Sequence, residues 1–123
     1  MAHFIKIPSY QDPRGSLSVI EKIIPFEIKR VYYIYGVPKP DIVRAGHRHK
    51  KTIQALICIT GSCVISNNNG NIKEKFILDT PDKCLILKPE DWHTMDSFTK
   101  DAVLLVLASE FYDRNEYIDE GYL

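Results

Sequence analysis

The segment Arg44-Ala45-Gly46-His47-Arg48-His49-Lys50 holds two of the chain's four histidines, two residues apart. On an extended strand that spacing turns both rings to one face. Imidazoles titrate near neutral pH, so such a pair can hold and move two different protons, a service worth about 10²- to 10⁴-fold in rate. A third imidazole, His93, closes the run Pro89-Glu90-Asp91-Trp92-His93. Three imidazoles can also be three legs of a first-row metal site.

Downstream of His49 come four residues, Gln54, six residues and then Gly61. That order resembles the first cupin motif with glutamine in place of its usual glutamate, and Pro89 to His93 resembles a shortened second one. Gln54 argues against a metal, because a neutral amide is a poor substitute for a carboxylate on a divalent cation and no other acid is placed by spacing to replace it. The reading is therefore an acid-base site with no metal and no cofactor, a metal-dependent cupin being kept as the alternative.

Basic residues flank the same strands: Lys29, Arg30, Arg44, Arg48 and Lys50. Guanidinium groups are good bidentate partners for phosphate oxygens, and Arg30, Arg44 and Lys50 are assigned to substrate together with Gln54 and His93. Arg48 alternates with the histidines and is expected to point away from them. Tyr33 and Tyr35 share one face of their strand and Tyr32 takes the other; Tyr33 and Tyr35 are assigned to the ligand.

The elements that must carry these residues are short strands. Apolar residues alternate or run in blocks over 16–22, 29–35, 53–66, 72–78, 83–87 and 102–109, which predicts a sandwich or barrel. Asn67-Asn68-Asn69-Gly70 tolerates positive φ and marks a hairpin. Gly61, inside the longest run, predicts a bend or bulge. The one helical candidate is a turn or two within 113–120.

With 123 residues the chain has room for one domain, 1–123, and a cavity for a single small ligand. Sixteen basic and sixteen acidic side chains cancel, so no nucleic-acid partner is expected. No apolar run approaches the ~20 residues of a membrane span, and the first residues lack the order of a signal peptide; a cytoplasmic protein without a membrane partner is expected. Cys58, Cys63 and Cys84 lie in apolar stretches without CxxC spacing and read as reduced core thiols.

Four blocks carry a more specific likeness: Asp12-Pro13-Arg14-Gly15-Ser16-Leu17, Ile28-Lys29-Arg30-Val31-Tyr32-Tyr33-Ile34, Gly46-His47-Arg48-His49-Lys50-Lys51 and Val106-Leu107-Ala108-Ser109. In order and spacing, from about Phe4 to Tyr117, the chain resembles the dTDP-4-dehydro-6-deoxyglucose 3,4-ketoisomerases. The resemblance implies an all-β, cupin-type jelly-roll β-barrel in a strand-swapped homodimer, acting as a metal-independent isomerase on dTDP-4-keto-6-deoxyglucose. The product would be the 3-keto isomer, destined for a 3-amino sugar of surface polysaccharide. His47 would be the base toward C3 and His49 the proton shuttle between the sugar oxygens. Arg14 with His93 looks like the branch that gives a galacto-configured product. An RmlC-like 3,5-epimerase and a non-catalytic nucleotide-sugar-binding cupin are the remaining alternatives.

Overall fold

The structure is a computed structural model and describes residues 1–122. Its strands are β1 (His3–Lys6), β2 (Ser9–Asp12), β3 (Gly15–Ser18), β4 (Arg30–Tyr35), β5 (Arg44–His49), β6 (Gln54–Thr60), β7 (Cys63–Asn68), β8 (Lys73–Leu78), β9 (Lys83–Leu87), β10 (Trp92–Asp96), β11 (Val103–Ala108) and β12 (Tyr117–Ile118). One antiparallel sheet has the order β1-β9-β6-β11-β4 and a second the order β12-β5-β10-β7-β8, while β2 and β3 form a separate hairpin. The sheets pack face to face across Leu56, Cys58, Leu85, Leu87, Leu104 and Val106 from the first and Cys63, Ile65, Leu78 and Met95 from the second.

This differs from the expected barrel. The two sheets do not close on one another: β1 and β4 end the first, β12 and β8 the second. Side chains from both inner faces fill the gap, and at the roughly 10 Å spacing of stacked sheets no backbone group of one can reach the other.

The apolar run 53–66 is two strands in two different sheets, β6 and β7, joined through Gly61. Gly61 has φ +68, and a Cβ there would stand 2.7 Å from the Ala102 Cα, so only glycine fits the corner. The unbroken hydrophobicity of β6 has its own cause. Leu56 and Cys58 face the central core, while Ala55 and Ile57 are buried on the other face with Ile7 and Ile86, under Ile23, Ile24 and Phe26. The Asn-rich turn closes the β7–β8 hairpin as expected: Asn68 Oδ1 accepts from the Gly70 N–H and Asn69 Oδ1 from the N–H groups of Asn71 and Ile72, each at 2.9 Å.

The helical candidate shrinks to one 3₁₀ turn, Arg114–Glu116, capped by the Asp113 carboxylate on the Asn115 N–H at 3.0 Å. β12 then pairs at once with β5, Tyr117 opposite His49, because a segment without an apolar helical stripe gains more from a sheet edge. All three cysteines are free and buried. Among the described residues no helix is long and apolar enough to cross a membrane.

Candidate active site

Five strands, β4, β5, β6, β10 and β12, and the 3₁₀ turn meet around three imidazoles. In the β5–β10 ladder His93 lies opposite His47, but the next pair is Thr94 with Ala45, so Gly46 is an extra residue, a bulge. Ala45 and Gly46 take the positive φ values, 66 and 82, that this bulge needs. The bulge sets His47 over His93 with ring centroids 5.2 Å apart, and His49 lies 5.1 Å from His47 and 6.3 Å from His93. Tyr117 on β12 packs edge-on against both partners on β5, 4.7 Å from His47 and 4.6 Å from His49.

Hydrogen bonds define two of the tautomers. His93 is fully buried, and its Nδ1–H donates to the Asp91 carbonyl at 3.0 Å. Asp91 is held in turn by Asn67 Nδ2 at 2.9 Å and by the Lys88 N–H at 2.7 Å. The His49 Nδ1–H donates to Glu116 Oε2 at 3.0 Å. The Nε2 atoms of both rings are buried without a partner among the described residues, as are Gln54 Oε1 and Arg30 Nε. Burial pushes His93 down to about 3 and His49 to about 4, with His47 and Arg30 adding to the effect on His49, and it also lowers His47. The three imidazoles are therefore neutral at pH 7, with lone pairs available to accept protons.

The first sheet closes the other side. Gln54, opposite Ala108 on β11, donates Nε2–H to the Tyr32 hydroxyl at 3.1 Å. Burial raises Tyr32 to about 12, so its phenol stays protonated and can donate. Arg30 crosses from β4 to the Tyr117 hydroxyl at 3.4 Å and lies over the rings of Tyr32 and Tyr112, at 5.3 and 5.7 Å. Arg44 acts electrostatically on Tyr32 from the start of β5. Among the described residues no three or more His, Cys, Asp or Glu side chains are arranged to hold a metal ion.

His47, His49, His93, Gln54 and Arg30 are thus brought together. Tyr33 and Tyr35 are not: alternation on β4 turns them outward, 60% and 68% exposed, and Tyr32 takes the inner place. Lys50 offers only its backbone N–H, to Glu116, and its side chain is exposed. Arg14 sits at the tip of the β2–β3 hairpin, bonded among the described residues to Asp12 alone. Arg48 turns outward as expected, over the Tyr122 ring at 4.7 Å, with Nε donating to the Glu120 carbonyl. Glu116, Tyr117, Asp91 and Asn67 were not found from sequence. Asp91 and Asn67 lie inside the second cupin-like run and the Asn-rich turn but carried no role there, no motif marks Glu116 or Tyr117, and only alternation from Arg30 could have favoured Tyr32 over its neighbours.

A protein-family model described as "FdtA: WxcM-like, C-terminal" matches residues 1–122. A TDP-4-oxo-6-deoxy-alpha-D-glucose-3,4-oxoisomerase of Aneurinibacillus thermoaerophilus is 48% identical over 109 residues, 87% of this chain and 78% of that protein. The QdtA 3,4-ketoisomerase of Thermoanaerobacterium thermosaccharolyticum superposes with TM-score 0.92 at 46% identity, covering 97% of this chain and 87% of QdtA. That structure holds TDP and carries a tyrosine-to-arginine and an arginine-to-histidine substitution. A histidine-to-asparagine variant of QdtA, solved with TDP-4-keto-6-deoxyglucose, matches at TM-score 0.92 and 44% identity with the same coverage.

Proposed function

The chain belongs to the FdtA: WxcM-like, C-terminal family and is an isomerase, and from this we propose that it is the 3,4-ketoisomerase of TDP-4-keto-6-deoxyglucose. The observation that carries the reading is the pair of neutral imidazoles, His47 and His49, with rings 5.1 Å apart on one strand. A keto group moves from C4 to C3 when the proton on C3, acidified by the C4 carbonyl, is removed, an enediol forms, and a proton is returned at C4. The O3 proton must pass to O4 as well. Two bases within reach of adjacent carbons match those two transfers.

In this reading His47 takes the C3 proton and His49 Nε2 carries the proton between the sugar oxygens. Tyr32, Gln54, Arg30 and Arg44 surround the ligand, the arginines facing the diphosphate. No metal enters the reading, because Gln54 stands where the cupin motif carries a carboxylate and its amide is committed to Tyr32. In this reading one domain, 1–123, carries the activity, and a nucleotide-activated substrate supports a cytoplasmic location. Its product would feed a 3-amino sugar.

Two finer points belong to the same proposal. Arg14 and His93 select the galacto-configured product; the residue types at these positions are those introduced together in the QdtA double variant. The active form is a homodimer with exchanged strands, for which the outward Val31, Tyr33 and Tyr35 of edge strand β4 and the exposed Tyr10 and Leu17 of the hairpin provide apolar surface.

Proton NMR of TDP-4-keto-6-deoxyglucose with chelator-treated protein in deuterated water tests the reading. A 3-keto product deuterated at C4 and galacto-configured is expected, and the double change Arg14→Tyr with His93→Arg should turn the C4 configuration to gluco. Deuterium at C5 would mean a 3,5-epimerase, and activity abolished by chelation and restored by a metal would return the metal-dependent cupin.

A further inference from the structure

We propose that Glu116 is the positioning residue of the proton shuttle: its carboxylate holds the His49 proton on Nδ1, so that Nε2 alone exchanges protons with the substrate. The inference rests on the ketoisomerase reading for its chemistry, but its geometry is independent of it. Glu116 is 5% exposed. Its Oε2 accepts from His49 Nδ1 at 3.0 Å and from the Lys50 N–H at 3.2 Å, and its Oε1 accepts from the Thr52 N–H at 3.1 Å. The Glu116 carbonyl also accepts from the Lys50 N–H at 2.9 Å.

A buried carboxylate with three donors accepts and does not donate. The His49 proton is thereby fixed on Nδ1, and the lone pair is left on Nε2, which has no partner among the described residues. When Nε2 takes a proton from one sugar oxygen the ring becomes an imidazolium, and the carboxylate at Nδ1 stabilises that charge until Nε2 releases the proton to the other oxygen. No net proton is gained or lost, and Nδ1–H never leaves. Among the described residues the Glu116 carboxylate hydrogen-bonds only to His49 and to backbone N–H groups, so it acts through the ring.

The contact pattern predicts what an amide would do. In Glu116→Gln the NH₂ group takes the Oε2 position, because Thr52 has no second acceptor whereas the Lys50 N–H keeps the Glu116 carbonyl. That NH₂ faces His49 Nδ1, which must then accept, and the ring proton moves to Nε2. The shuttle starts in the wrong tautomer.

Long-range ¹H–¹⁵N spectra of histidine-labelled protein read the tautomer directly and need neither substrate nor a variant. Wild-type His49 should show a protonated Nδ1 and a bare Nε2; Glu116→Gln should reverse them and lower kcat by about 10²-fold or more with KM within about threefold. Glu116→Asp, which keeps the charge, should retain the wild-type tautomer and part of the lost kcat. A wild-type His49 protonated on Nε2 would overturn the proposal, as would a Glu116→Gln protein unchanged in tautomer and in kcat. If the tautomer reverses as expected but neither protein converts TDP-4-keto-6-deoxyglucose, the positioning stands and the reaction reading is what fails.

Discussion

At the scale of single residues, the proposed reading separates groups that transfer protons from groups that hold the ligand. His47→Asn and His49→Asn each remove an imidazole and should cost about 10²- to 10⁴-fold in kcat while TDP affinity changes little, measured by turnover and calorimetry. The imidazoles also couple stability to pH. His49 and His93 titrate at about 4 and about 3 when folded, against an ordinary value of 6.5. Below pH 6.5 the unfolded chain therefore binds protons that the folded chain refuses, and stability is lost as pH falls, each histidine adding a slope of about 1.4 kcal/mol per pH unit. Glu116, raised by burial, has the opposite sign and offsets part of this at lower pH. Urea midpoints should thus drop from pH 7 to pH 5, and His93→Asn should flatten the drop.

At the scale of elements, the bulge at Ala45-Gly46 is the device that brings His47 over His93. A side chain at Gly46 would meet no atom within 4 Å, so any cost there comes from its φ of +82. Gly46→Ala should destabilise by about 1–2 kcal/mol through that backbone strain and should lower kcat by displacing His47. Gly61→Ala, which strikes the Ala102 Cα, should lower stability further with less effect on kcat among the molecules that remain folded; thermal melts and kinetics side by side test both. The hairpin, the short strands and the glycine corner were readable because turn chemistry and period-two alternation are local. The bulge was not, because two positive φ values in Ala-Gly leave no pattern that a flexible loop would not also leave. The 3₁₀ turn and β12 were equally hidden, since Tyr117-Ile118 is a strand only by virtue of the β5 edge it meets.

At the scale of the molecule, an edge strand that exposes Val31, Tyr33 and Tyr35 is a surface that proteins normally cover. Under the homodimer reading, Tyr33→Glu with Tyr35→Glu should shift the sedimentation coefficient from dimer to monomer; an unchanged value would move the interface elsewhere. The sequence by itself determined an all-β chain, the histidine pair with Gln54 and His93, and the family to which they belong, because residue types at fixed spacing along extended strands report directly on which side chains share a face. Only the tertiary structure decided that two open sheets stand where a barrel was expected, that Tyr32 turns inward to Gln54 where Tyr33 and Tyr35 were assigned, and that Glu116 and Tyr117, 67 and 68 residues beyond His49, complete its surroundings. The physical reason is common to all three: which face of a strand is buried, and what a chain end meets there, depends on packing between elements distant in sequence, and no local pattern records it.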